Sequence, residues 1–467
     1  MTAQLTARPG PMAPRPDRRR QYRRRARRSD LLVTALWASG AAAAALFLSV
    51  GGAGQFGTIA DAITSLGIVT GLIGSDFILV MLVLAARVPL IDRTVGHDRA
   101  IAVHRQLGKP ALYLLLAHGV LLLVGYGIGS GFNLVTWVVD MWQLPDMPLA
   151  FIGLGLLVAV VVTSLVAVRR KFSYEGWHLV HLLSYVAVAF AIPHQLSNGA
   201  VLSQGPQRVY WIALYVLAFG SIIVYRFLEP LVASLRHGIR VDKVIEVAPG
   251  VVSIVLRGSH LEALGATGGQ FFVWRFWAPG MWWHAHPISL SAAPTENYAR
   301  ITVRDLGTGS RAITTVAPGT RVWLEGPYGI FTDSARTAPK VAIIAAGIGI
   351  TPARALLESS TIAPGEATVL LRASSENEQW LWQEVADLSV EKGARYFEMV
   401  GRRSSRASTW MSAVDQERGV TLRSVFPDLL NSDLYICGPS AWLDLVEADA
   451  RRAGMPAHQI HAERFDW

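Results

Sequence analysis

The sequence predicts a multidomain membrane protein: a six-helix transmembrane bundle, then a small antiparallel β-barrel, then an α/β domain built on a parallel sheet. Three observations carry this. Of the 467 residues, 52% are hydrophobic and only 16% charged, and the apolar residues crowd into the first half, which is too apolar for one soluble domain. Six apolar runs, each near the roughly 20 residues that cross a bilayer core, fall at 31–50, 66–86, 108–128, 148–168, 178–198 and 209–228. After residue 238 come short β-type runs such as VVSIVL, ARITVR and TRVWLEG between Gly and Pro turns, and after Pro339 a strand–loop–helix alternation.

The first run follows a basic segment. Residues 1–30 hold ten arginines and two aspartates, so most of the net charge of +9 sits there. The segment reads as a disordered cytoplasmic tail that fixes topology, and no nucleic-acid-binding fold accompanies its charge. An arginine-rich start before an apolar run resembles a signal peptide, but this run is long enough to span and five more follow, so it reads as the first membrane helix.

The loops give the orientation. Segments 51–65 and 129–147 contain no Lys or Arg, and 195–208 contains only Arg208. Arg87, Arg93, Arg99, Arg105 and Lys109 precede the third span, and Arg169, Arg170 and Lys171 precede the fifth. The positive-inside rule then predicts an integral plasma-membrane protein with both termini in the cytoplasm. Trp137 and Trp142 suit an outer interfacial belt.

Four histidines dominate the third and fifth spans: His104 and His118 on one, His181 and His194 on the other. Imidazole inside a membrane is costly unless it is paired, wet or bound to a metal. Two helices offering two histidines each can hold two haems in series, with His104/His181 as the inner axial pair and His118/His194 as the outer one. A 14-residue separation is about 21 Å of helix rise and returns to nearly the same face. The 13 residues from His181 to His194 end about 140° away on a straight helix, so a kink at Pro193 is required. His178 is a competing ligand. Four structural or proton-relay histidines in a transporter would give the same pattern. Asp76, beside Ser75 in the second span, is a second intramembrane polar group. The chain has one cysteine, Cys437, so no internal disulfide forms and a metal must be held by His, by carboxylate or inside a cofactor.

The soluble half carries several individually weak motifs. HPISLSAAP (286–294) offers the Ser289 hydroxyl to a flavin ring. The backbone around Gly307, Gly309 and Ser310, with Arg304 and Arg311 near, can hold a pyrophosphate; ordinary turns between strands look the same. In AAGIGITPARALL (345–357), Gly347 and Gly349 follow a buried strand and open a helix, where the backbone can approach a pyrophosphate. YICGP sets Cys437, Gly438 and Pro439 at another strand end; Cys437 either touches a nicotinamide or is a small buried apolar residue. The terminal Trp467 can shield a flavin face, and Phe465 reads as packing.

Together these residues resemble the superfamily of transmembrane ferric reductases and NADPH oxidases, over about residues 31–467. The resemblance implies a di-haem transmembrane domain at 31–237, an FAD-binding β-barrel at 238–335 and an NAD(P)H-binding α/β domain at 336–467. It implies haem iron ligands at His104, His118, His181 and His194, and FAD contacts at His286, Pro287 and Ser289. It implies NAD(P)H contacts at Gly347, Gly349, Thr351, Pro352, Cys437, Gly438 and Pro439. His286 stands where soluble relatives carry Arg, which is similar to the membrane branch. No calcium-binding EF-hand loop is visible.

The second strand of the α/β domain is followed by Arg372 and two serines, and a later one by Arg402, Arg403 and Arg406, groups that suit the 2′-phosphate of NADPH; NADH remains possible. The expected function is electron transfer from cytosolic NADPH through FAD and two b-type haems to an acceptor outside. That acceptor is oxygen, giving superoxide, or a ferric chelate. A membrane electron-wiring subunit for a periplasmic protein partner and a transporter are the competing readings.

Overall fold

The computed structural model describes residues 18–128, 133–172, 174–199, 201–202, 204–403 and 409–465. The chain divides into two compact units: Ser29–Glu229, and the chain from Pro230 onward together with the start of the first helix.

The first unit is helical. Its long helices are α1 (Arg18–Ser49), α2 (Ile59–Ala85), α3 (His97–Ile128), α4 (Met147–Ser164), α5 (Tyr174–Ser197) and α6 (Gly205–Ile222). The sixth continues through a π-turn, Ile223–Leu228, into a last helical stretch, Glu229–His237. All six are long and apolar enough to cross a membrane. The basic tail departs from expectation: helix begins at Arg18, well inside the segment predicted to be disordered. Arginine is a good helix former, and neither Pro nor Gly interrupts the chain between Arg18 and Gly40. The rest of the predicted tail lies outside the described residues.

Small residues set the helix packing. Gly67, Gly71 and Gly74 line one side of α2 against α3: a Cβ at Gly67 would come within 3.1 Å of Leu122, one at Gly74 within 3.1 Å of Leu115, and one at Gly71 would overlap the His118 ring. Gly153 of α4 meets the Ala187 carbonyl of α5 in the same way, at 2.8 Å. Lipid tails give no hydrophobic drive for helix association, so close backbone approach and polar contacts replace it. The polar contacts are present: Ser39 donates to Asp76 Oδ1 at 2.5 Å, and Gln195 Oε1 accepts from Trp211 Nε1 and Tyr215 Oη.

The second unit opens with six antiparallel strands: β1 (Arg240–Ala248), β2 (Val251–Arg257), β3 (Phe271–Phe276), β4 (His286–Ser289), β5 (Tyr298–Arg304) and β6 (Val322–Tyr328). They form two open three-stranded sheets, β1-β2-β5 and β4-β3-β6, rather than the expected closed barrel. Single bridges, Arg240–Arg321 and Leu290–Ile301, are the hydrogen-bonded contacts recorded between the two. Closure through β4 and β5 would need a longer ladder than four residues supply, and Pro287 inside β4 has no N–H to give.

The remaining strands, β7 (Lys340–Ala346), β8 (Ala367–Ala373), β9 (Arg395–Val400), β10 (Ser432–Pro439) and β11 (Ile460–Phe465), form a wholly parallel sheet. Its order is β11-β10-β7-β8-β9. Chain order therefore reverses between β7 and β10, and the crevice beyond their carboxyl ends is where ligands bind in open α/β sheets.

Candidate functional site

In the membrane unit three of the four candidate histidines are held through Nδ1. His104 Nδ1 lies 3.1 Å from the Met81 carbonyl oxygen and His118 Nδ1 2.7 Å from that of Gly67. A carbonyl only accepts, so each Nδ1 carries the proton and Nε2 presents a lone pair. For His181 the partner is a hydroxyl: Ser164 Oγ, 3.4 Å from His181 Nδ1. Ser164 donates its own proton to the Val160 carbonyl, so towards His181 it accepts. His194 Nδ1 is buried with no hydrogen-bond partner among the described residues.

The His104 and His181 rings lie 6.1 Å apart, centroid to centroid. Two imidazoles this close are the residues that would hold a haem iron, which would supply one-electron transfer. His118 and His194 are near enough to interact electrostatically, and α5 contains Pro193. Among the described residues no group of three or more His, Cys, Asp or Glu could hold a metal ion. Asp76 is 1% exposed and its second oxygen has no partner.

In the second unit, β4 and the turn after β5 come together. A Cβ on Gly309 would lie 3.6 Å from His286 Cε1, and His286 Nε2 is buried without a partner among the described residues. Burial, then the neighbouring His284 and Arg275, push the imidazole down to about 4, so at neutral pH it is an uncharged donor or acceptor. An orphaned nitrogen beside a glycine turn fits a polar cofactor atom. Ser289 is buried at the end of β4 and Pro287 is exposed.

Other expected phosphate contacts are engaged elsewhere. The Gly307 amide donates to Asp305 and the Leu306 amide to Ser310 Oγ. Arg311 donates to Asp305 at 2.8 Å. The Arg304 guanidinium lies over the Trp380 ring and pairs with Glu378.

At the switch point the two glycine motifs meet. Gly347 takes φ +58°, a left-handed turn after β7, and a Cβ on Gly349 would strike the Cys437 carbonyl and lie 2.7 Å from the Gly438 amide nitrogen. Thr351 donates to the Ile348 carbonyl and is buried with Pro352 in the first turn of α7 (Ile350–Ser359), where they shape the turn. Gly438 and Pro439 end β10 at the crevice.

The Cys437 side chain has no exposed surface and packs in the core of the sheet, with its thiol pushed well up by burial. The structure thus favours packing over nicotinamide contact for this side chain. Phe465 packs against the same core. Arg372 is buried, donates to the Ala373 carbonyl and keeps an unpartnered Nε. Burial, and then the nearby Arg403, lower its guanidinium. Arg402 is exposed at the end of β9. Arg406 and Trp467 lie outside the described residues.

One network was not legible in the sequence. Glu384 accepts from Arg300 at 2.8 Å and from Arg354 at 2.6 Å, and Arg354 also reaches Glu358 at 2.8 Å. Both arginines bond the Ser291 carbonyl, and Glu358 accepts from the Ala293 amide. The stretch after β4 is thereby tied to α7 and to α8 (Trp382–Glu391). The four-residue spacing of Arg354 and Glu358 on one helix is a signal that could have found that pair; no such signal links Arg300 to Glu384, 84 residues apart.

Residues 70–192 match the family model described as ferric reductase like transmembrane component. A flavohemoprotein of Xylella fastidiosa is 28% identical over 42% of this chain and 50% of its own length. The probable metalloreductase AIM14 of Eremothecium gossypii is 21% identical over 50% of this chain and 42% of its own. Respiratory burst oxidase homolog protein D of Arabidopsis thaliana is 27% identical over 41% and 23%. The crystal structure of the flavohem-like FAD/NAD binding domain of a Vibrio cholerae nitric oxide dioxygenase aligns with 49% of this chain and 99% of that domain, at 24% identity and a TM-score of 0.41. The chain spans about half the length of the curated relatives it matches. By these matches residues 70–192 are similar to the ferric reductase like transmembrane component, and the chain shares similarity with oxidoreductases over about half of its length.

Proposed function

We propose that this protein passes electrons from cytosolic NADPH, through FAD and two b-type haems, to an acceptor on the far side of the plasma membrane. In this reading residues 31–237 hold the haems, 238–335 the flavin and 336–467 the NADPH, with both termini cytoplasmic. The observation that carries it is the His104/His181 pair, 6.1 Å apart on two spanning helices. Bound flavin and haem supply the passage from a two-electron donor to one-electron carriers.

The chain's own groups do the rest. Met81, Gly67 and Ser164 hold the Nδ1 protons of His104, His118 and His181, and so aim Nε2 at the metal position; His194 completes the outer pair. His286, uncharged at neutral pH, and Ser289 orient the flavin beside Gly309. Gly347, Gly349, Gly438 and Pro439 let the nucleotide approach the ends of β7 and β10. Arg372, Arg402 and Arg403 meet the 2′-phosphate; Arg372 and Arg403 lie near enough to repel, so an anion between them would be favoured. Metalloreductase and respiratory burst oxidase relatives support a ferric chelate and oxygen in turn as the acceptor. Superoxide formed per NADPH consumed separates them.

The reading is tested by His104→Leu and His181→Leu in the full chain. Each should lower haem content from two per chain to about one and abolish NADPH-driven haem reduction, while NADPH-to-dye reduction persists. Full haem content in both variants, or a wild-type protein without a haem spectrum, overturns it.

A further inference from the structure

Between β3 and β4 the chain runs Trp277-Ala-Pro-Gly-Met-Trp-Trp-His284. Trp277, Trp282 and Trp283 are 45%, 52% and 51% exposed. Indoles are the largest apolar side chains, and a cluster of them held in water marks an interaction surface. They are built into one group: Trp277 lies 4.8 Å from Trp323 of β6 and 6.3 Å from Trp282, and Trp282 lies 5.2 Å from Trp283, centroid to centroid. Met281 is buried beneath them.

The group sits where the chain leaves its last membrane span. The Trp277 amide donates to the Arg321 carbonyl, and the Val322 amide to that of Ile239. Ser234, on the Glu229–His237 stretch that ends the sixth spanning helix, exchanges hydrogen bonds with both the amide and the carbonyl of Leu324, next to Trp323. That stretch exposes Leu231, Val232 and Leu235. Arg236, Arg240 and Arg321 are exposed at the same end.

We propose that this tryptophan–arginine face is a membrane-interface anchor, with the three indoles lying in the headgroup layer of the bilayer that the sixth helix has just left. Indole, apolar in its ring and polar at Nε1, prefers that layer. Guanidinium groups bind the phosphates of anionic lipid in forked geometry. Two observations single out lipid: the cations beside the patch, and its continuity with a helix that exits a membrane. The proposal stands independently of the haem reading.

The test uses the full chain in nanodiscs of phosphatidylcholine and phosphatidylglycerol, with bromine placed near the headgroup end of the acyl chains or left out. The chain has 15 tryptophans, so emission of the Trp277→Phe/Trp282→Phe/Trp283→Phe variant is subtracted from wild type. The difference emission should fall at least about twofold in the brominated discs. Equal difference emission with and without bromine overturns the proposal. If aqueous acrylamide then quenches it, the face lies in water; if acrylamide does not, another protein surface covers it. If the triple variant is not recovered folded, by its far-ultraviolet spectrum, Trp282→Phe and Trp283→Phe alone are subtracted in the same way, with the same two outcomes.

Discussion

The two units build their candidate sites from different material. In the membrane unit the site is made of side chains, four imidazoles on long helices, and the backbone only supplies carbonyls that hold Nδ1. At the switch point of the second unit the site is made of backbone: Gly347, Gly349 and Gly438 matter for the side chains they lack. The difference follows from solvent. In a bilayer the helix has already satisfied its own amides, so only side chains are left to bind anything. At a strand end facing water, amides are free to meet an anion. Substitution should therefore fail by lost ligands in one unit and by lost room in the other.

The largest expected effect breaks that contrast, because in the α2–α3 seam room and ligand coincide. Gly71→Leu would drive a side chain through the His118 ring and should cost more than about 4 kcal/mol, beyond the usual range for one substitution. The measurement is recovery of folded, haem-loaded protein. Recovery near wild type would show that the seam opens freely.

Next is His286, a side-chain site in the second unit. Burial first, and His284 and Arg275 second, hold it at about 4, whereas an unfolded imidazole titrates near pH 6.5. Between those values the unfolded chain binds the extra proton. Stability therefore falls as pH drops from about 6.5 to about 4, by as much as about 3 kcal/mol, and levels off below. His286→Leu should remove that slope from the denaturation midpoint of the second unit; an unchanged slope would assign it to other groups.

Gly349→Val comes third. A side chain there meets the Cys437–Gly438 backbone, so KM for NADPH should rise about tenfold or more, or about 1.4 kcal/mol, with little change in haem content. A larger effect on haem than on KM would contradict a purely local loss of room.

Glu384→Gln should be smallest. Burial raises its carboxyl, but Arg300 and Arg354 outweigh burial and hold it below the usual carboxylate range. A depressed carboxylate stabilises the fold above its unfolded value, and that stability is lost as pH falls through the folded one. Since Glu384 is 37% exposed, solvent screening leaves about 1 kcal/mol at neutral pH. Wild type and variant should converge in thermal midpoint below about pH 4.

Legibility in the sequence followed the same divide. The six spans and four histidines were readable because bilayer thickness and helix pitch turn spacing into geometry. The Nδ1 partners of His104 and His118 were not, since every residue has a carbonyl and only packing selects Met81 and Gly67. The parallel sheet was readable from its strand–loop–helix alternation, whereas closure of the β domain was not, because Pro287 and a four-residue β4 decide it locally. Cys437 shows how a motif position can mislead: its backbone lies at the crevice and its side chain in the core.

The ring of His118 occupies the space where a side chain at position 71 would stand. Positions 71 and 118, 47 residues apart in sequence, are therefore one unit of inheritance: neither can drift alone. A lineage that lost the imidazole would be free to gain bulk on α2, and one that gained bulk on α2 first would have lost the ligand. In a selection for refolded His118→Gly protein, suppressors should arise at Gly71.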